Sequence, residues 1–138
     1  MSDIEINDAD KVDDDTHKDD DLAECAAKFG EQVIAFARDA DADHVTAPLI
    51  SQLVESAARI GAKFFAAKGM AGKPEFAGRI SACIEEVETT KYWIRMVTTS
   101  APDLSELGRT LWKEAHELGL AFETLRRYDQ RRAGSRET

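Results

Sequence analysis

The stretch TAPLISQLVESAARIGAKFF, residues 46–65, decides the fold class. Ile50, Leu53, Val54, Ala57, Ile60, Gly61, Phe64 and Phe65 recur at spacings of three and four. That is the repeat of one face of an α-helix, not the alternation of a strand. Thr46 is placed to cap the start, Pro48 is tolerated in the first turn, and Gly69 can end the helix. The outer face, Gln52, Glu55, Ser56, Arg59 and Lys63, is polar and reads as solvated surface.

Outward from this stretch the same period returns three times. Leu22, Cys25, Ala26, Phe29, Val33 and Phe36 predict a helix over about 21–40, with Asp21 as cap and Glu24 three residues on. Gly72 and Pro74 mark a turn, after which Phe76, Ile80, Cys83, Ile84, Val87, Ile94 and Val97 predict a helix over about 74–99. Ser100 or Asp103 can cap a last helix, over about 103–133, carrying Leu104, Leu107, Leu111, Ala115, Leu118, Phe122 and Leu125. With the second helix at about 47–69, four amphipathic helices on short connections predict an all-α, antiparallel up-and-down four-helix bundle spanning 21–133.

The formal charge of −9 is unevenly spread over the 138 residues. Residues 1–21 carry −8, residues 22–125 carry −4, and residues 126–138 carry +3. The first 20 residues, with few large apolar side chains, read as a disordered acidic tail, and 134–138 as a disordered end. Asp13–Asp15 and Asp19–Asp21 lack the spacing and turn glycine of a calcium loop. These counts exclude a uniformly basic nucleic-acid binder and a chain disordered throughout.

No apolar run is long enough to cross a bilayer, and the N-terminus has no signal-peptide pattern. Cys25 and Cys83 fall on apolar faces with no disulfide or metal spacing, so reduced core thiols in the cytoplasm are expected. A di-iron bundle requires Glu-x-x-His pairs, and none is present; the residues three before His17, His44 and His116 are Asp14, Asp41 and Lys113. His116-Glu117 begins a zinc-protease pattern, but the second histidine position is Leu120. Glu85, Glu86 and Glu88 read as surface charge. No catalytic residue, metal site or cofactor is expected, and the protein is not expected to be an enzyme.

Several large side chains lie off the core stripes. Tyr92, Trp93 and Met96 on the third helix, and Trp112, His116 and Leu120 on the fourth, form two lines that are candidates for an oligomer interface. Arg126, Arg127, Arg131 and Arg132 are candidates for contact with nucleic acid, set against the plainer role of complementing a helix C-terminus.

The middle of the chain resembles the small four helix bundle protein family, first noticed as reading frames in intervening sequences of bacterial large-subunit ribosomal RNA genes. The resemblance rests on residues 50–62, ISQLVESAARIGA, on Phe76, and on residues 85–94, EEVETTKYWI. The Glu-Thr-x-x-Tyr-Trp end is its most specific part, and it covers roughly 22–130. The family's Asn position holds Lys63, and its following Glu falls at Ala66 or Ala67, so a role tied to those two residues does not carry over. The resemblance implies a left-handed antiparallel bundle that forms a homo-oligomer, a pentamer in some relatives. One branch of the family serves retroelement reverse transcriptases through a basic surface, which the acidic balance here argues against.

Two functions follow as expectations. One is a non-enzymatic oligomeric interaction or scaffold protein. The other is an RNA- or nucleoprotein-binding accessory that uses a basic C-terminal rim.

Overall fold

A computed structural model describes residues 14–137, all of them in helices or short connections and none in a strand. The expected acidic tail as far as residue 13, and Thr138, lie outside the described residues. The helices are α1 (Asp14–Asp39), α2 (Thr46–Ala67), α3 (Phe76–Ser100) and α4 (Ser105–Glu137), with a single 3-10 turn at Pro102–Leu104 before α4. They pack as an all-α four-helix bundle in which α1 touches α2, α2 touches α3, α3 touches α4, and α4 closes on α1. Polar side chains also tie neighbouring helices together. Thr46 Oγ1 meets Ser100 Oγ at 2.6 Å between α2 and α3, and Lys91 meets His116 between α3 and α4.

The core is the set of stripes read from the sequence. Phe29, Val33, Leu53, Ile60, Phe64, Ile80, Val87, Val97 and Phe122 are fully or almost fully buried. Phe64 of α2 and Phe122 of α4 meet across the diagonal, ring centroids 5.3 Å apart and planes tilted by 41°. Burying side chains of this size supplies about 1.5–3 kcal/mol each, enough to hold helices that would be marginal alone.

Residues 14–20 and 134–137, expected to be disordered, are helical, and α4 starts at Ser105 and runs on to Glu137; three of the differences from expectation have a visible physical reason. α1 begins at Asp14, so Asp21 lies inside the helix and does not cap it. Acidic residues suit the N-terminal turns of a helix dipole, and Asp20 Oδ1 receives Lys68 Nζ at 2.8 Å, which ties this early part of α1 to the end of α2. Thr46 is not a cap either; its hydroxyl is turned inward onto Ser100. Asp43 performs the capping instead, its Oδ1 accepting the backbone N–H groups of Thr46 (2.8 Å) and Val45 (3.1 Å). Those bonds, the one from Thr46 first, hold the Asp43 carboxyl below its ordinary range. The third change concerns the α2–α3 connection, where Gly69 and Gly72 adopt φ of +91° and +86°, so the chain turns as the glycines suggested, but α2 has already ended at Ala67.

Three residues assigned to core stripes are exposed. Phe65 lies outside the bundle with Lys68 Nζ 5.2 Å from its ring centre, because the eight-residue stripe of α2 is wider than the face its neighbours cover. Leu107 and Cys25 face the seam between α1 and α4. This seam is the sparsest of the four helix contacts, and cavities of about 600 Å³ and about 300 Å³ lie along it. Cys83 is buried as expected, and its thiol is pushed up to about 11 by that burial.

At Gly108 on the α3–α4 contact there is no room for a side chain: a Cβ would overlap the Thr98 Cγ2 methyl of α3. Gly108→Ala should therefore destabilise the fold by about 1–3 kcal/mol, the usual cost of overpacking. Thr98→Ala removes that methyl and should restore most of the loss in a double-mutant cycle read by chemical denaturation. Independent, additive effects of the two changes would show that the contact is not what limits this position.

Candidate functional site

A polar cluster is built into the apolar interface between α2 and α3. Ser56 and Thr90 occupy inward positions and are wholly buried, and Glu86, one turn before Thr90, is only 6% exposed. Ser56 Oγ lies 2.5 Å from Thr90 Oγ1 and donates to Glu86 Oε2 at 3.1 Å. Thr90 Oγ1 donates to the Glu86 backbone carbonyl at 2.8 Å. The other carboxylate oxygen, Oε1, receives Lys63 Nζ at 2.9 Å and faces Arg59 Nε at 3.4 Å. Arg59 also reaches Glu55 within α2, at 3.5 Å.

This corrects two expectations. Glu86 is not surface charge, and the face of α2 read as solvated is not all so: Ser56 is wholly buried, and Arg59 and Lys63 are half-exposed with their charged ends on the carboxylate. Burial pushes the Glu86 carboxyl up, but the hydrogen bonds from Lys63 and Ser56, with the charges of Lys63 and Arg59, outweigh it and leave the group below the ordinary range. A signal existed in the sequence. Ser56 and Arg59, then Lys63, follow one side of α2, while Glu86 and Thr90 follow one side of α3, so opposite charges and hydroxyls share one seam. Chemically the cluster is saturated, because both carboxylate oxygens have donors and the two hydroxyls are sealed from solvent. It acts as a polar lock between helices rather than as a reactive centre.

The expected interface residues fall into two groups on the outer side of α3 and α4. On α4, Trp112 stacks on His116 with centroids 5.1 Å apart and planes 10° from parallel. Lys91 of α3 lies across this pair, its Nζ 4.5 Å from the Trp112 ring centre, donating to His116 Nδ1 at 3.0 Å and to Glu88 Oε2 at 3.2 Å. On α3, Tyr92 meets Trp93 edge-on at 5.2 Å. Trp93 is half-buried against the core, Met96 and His116 are half-buried, and Tyr92 (53%), Trp112 (41%) and Leu120 (53%) remain open.

The arginines are not equivalent. Arg126 is held against α3, donating to Ser81 Oγ at 2.8 Å and to Glu123 Oε1 at 2.9 Å. Arg132 sits with its guanidinium 5.5 Å from the centre of the Tyr128 ring. Arg127 and Arg131 are exposed. Among the described residues there is no group of three or more His, Cys, Asp or Glu side chains arranged to hold a metal ion, and no helix long and apolar enough to cross a membrane.

Glu86→Gln keeps the shape of the side chain and removes its charge, and should cost about 1.5–3 kcal/mol, the range for hydrogen bonds to charged groups. Because the folded-state carboxyl is held low, the contribution of Glu86 to stability is fully present above the ordinary value of 4.5 and is lost as pH falls below it. The Gln variant should lose part of that acid dependence. Thermal melts of both proteins between pH 3 and pH 7 compare the slopes; parallel curves would count against an ionised Glu86 in the native state.

No family model, no curated protein and no solved structure matches the chain.

Proposed function

We propose that the protein is a non-enzymatic, self-associating bundle that serves as an interaction or scaffold subunit in the cytoplasm. The observation that carries this reading is the exposure of large apolar side chains on the packed pair α3 and α4: Tyr92 on α3, Trp112 and Leu120 on α4. Aromatic side chains held in place before association lose little entropy when a partner covers them, and they are enriched where subunits meet. Trp112 is held in this way, stacked on His116 and covered on one side by Lys91. The resemblance to the four helix bundle protein family supports the same reading and favours a closed homo-oligomer, with five copies as its most specific form.

Light scattering on the full chain at micromolar concentration should give a mass of several chains. Tyr92→Asp combined with Leu120→Asp should reduce it to that of one chain while the helical circular dichroism is kept, since both side chains are exposed. A monomeric native protein removes the reading; an unchanged oligomer in the double variant places the interface elsewhere.

A second reading, contact with RNA through the C-terminal end of α4, is favoured by the exposure of Arg127 and Arg131. It is narrower than the four arginines suggested, because Arg126 is committed to Ser81 and Glu123. If it holds, a fluorescent single-stranded RNA binds at low salt, affinity falls steeply as salt rises, and Arg127→Glu with Arg131→Glu abolishes binding. Arg126→Glu should cost stability as well as binding. Absence of binding by the native chain at low salt disposes of this reading.

A further inference from the structure

The larger cavity on the α1–α4 seam has the dimensions and chemistry of a small-molecule site. Its volume of about 600 Å³ lies within the usual range for such sites, roughly 300–1,000 Å³. Leu22, Phe76 and Leu125 give it apolar walls. Phe76 is wholly buried and forms part of the floor, so the cavity reaches the core and is more than a surface dent.

The decisive group is Asp129. It lines this cavity and is only 7% exposed. Oδ1 accepts the Gly72 backbone N–H at 3.0 Å, which braces the α2–α3 turn against α4. Oδ2 receives no donor from any described residue. A buried carboxylate oxygen without a donor loses its hydration and gains nothing in return, so a ligand that supplies a donor and a positive charge is favoured there. Among the described residues the other charged groups lining the cavity are Asp19, Asp21 and Arg132, so with Asp129 the acids there outnumber the bases and an anion is disfavoured. A neutral apolar molecule would fill the walls but leave Oδ2 unpaired.

We propose that this cavity binds a small amphipathic cation, an ammonium group carried on an apolar chain or ring, with Asp129 as its counter-charge. The apolar body lies against Leu22, Phe76 and Leu125, and the ammonium donates to Asp129 Oδ2. Asp129 thus has two functions, bracing Gly72 with one oxygen and holding the ligand with the other. The site lies on the α1–α4 seam, away from the α3–α4 face assigned to self-association, and stands or falls separately from it.

The test compares n-octylammonium, 1-octanol and octanoate, which share a chain length and differ in charge, by calorimetry on the full chain. Octylammonium should bind on the order of tenfold or more tightly than octanol, as expected for one charge-assisted hydrogen bond, and octanoate more weakly than either. Occupancy has a second readout, because the exposed thiol of Cys25 lines the cavity whereas Cys83 is buried and resists ionisation. N-ethylmaleimide at neutral pH should modify Cys25 alone, and bound octylammonium should slow that reaction severalfold. Asp129→Asn keeps an acceptor for Gly72 and removes the charge, and should bring octylammonium down to the affinity of octanol while leaving octanol unchanged. Equal binding of octylammonium and octanol by the native chain, no binding of either, or octylammonium bound without protection of Cys25 overturns the proposal. A folded Asn variant that keeps the preference for octylammonium also overturns it. Should that variant lose its helical dichroism, the three-probe comparison on the native chain decides alone.

Discussion

Glu86 places a negative charge in the seam between α2 and α3, and the way that charge is satisfied governs how the two helices lie together. A carboxylate at this depth is tolerated only when its lone pairs have donors. Ser56 supplies one from the buried side, and Lys63, with Arg59 beside it, reaches over from the wet side. All three donors sit on α2 at positions that one register alone brings to Glu86. Sliding α3 by a turn would part Glu86 from Ser56, its one donor on the buried side. Apolar stripes tolerate such a shift far better than a half-satisfied charge does. The cluster therefore contributes register as well as stability, and the Thr46–Ser100 hydroxyl pair joins the same two helices at a second point.

From this pair the rest of the bundle is assembled by shape. Gly108 and Gly119 let α4 approach α3 closely, against Thr98 and Val87, and Phe122 then reaches Phe64 across the centre. α1 is added by Ala26, Phe29 and Val33 on α2, with Lys68 and Asp20 joining the ends. The last side, between α1 and α4, closes least completely. Two cavities lie there, and the only polar brace in the larger one that involves the backbone among the described residues is Asp129 on Gly72. The bundle is thus tight on three sides, and its two largest openings lie on the fourth.

The uneven charge of the chain takes on meaning in this arrangement. Acidic residues early in α1 stand at one end of the bundle, and the arginine-rich end of α4 reaches the same end, since Asp19, Asp21 and Arg132 border a single cavity. Opposite charges that looked like separate termini of the sequence are neighbours in space. The apparent basic rim is accordingly smaller than a count of arginines suggests, with Arg126 fastened to Ser81 and Glu123 and only Arg127 and Arg131 among the four candidates plainly turned to water without such a partner.

Fold class and most of the core were legible in the sequence, because helical burial is a local, periodic property: Ile50, Leu53, Ile60 and Phe64 state their face without reference to any other helix. Gly69 and Gly72 were legible for the same reason, a positive φ being a demand on one residue. What the sequence left open were relations between helices. Glu86 looked like surface because its angle on α3 is at the edge of the stripe, and only the approach of α2 makes that edge an interior. Phe65, Leu107 and Cys25 looked like core because the stripe says which way a residue points but not how far the neighbouring helix extends to cover it. Asp129 carried no local sign at all; its burial depends on a turn 57 residues earlier in the chain. The sequence by itself determined four helices and the face each would bury, whereas tertiary structure decided which polar groups were sealed, which apolar ones stayed open, and where a cavity formed, because burial at the edge of a stripe is set by the distance and angle of the partner helix.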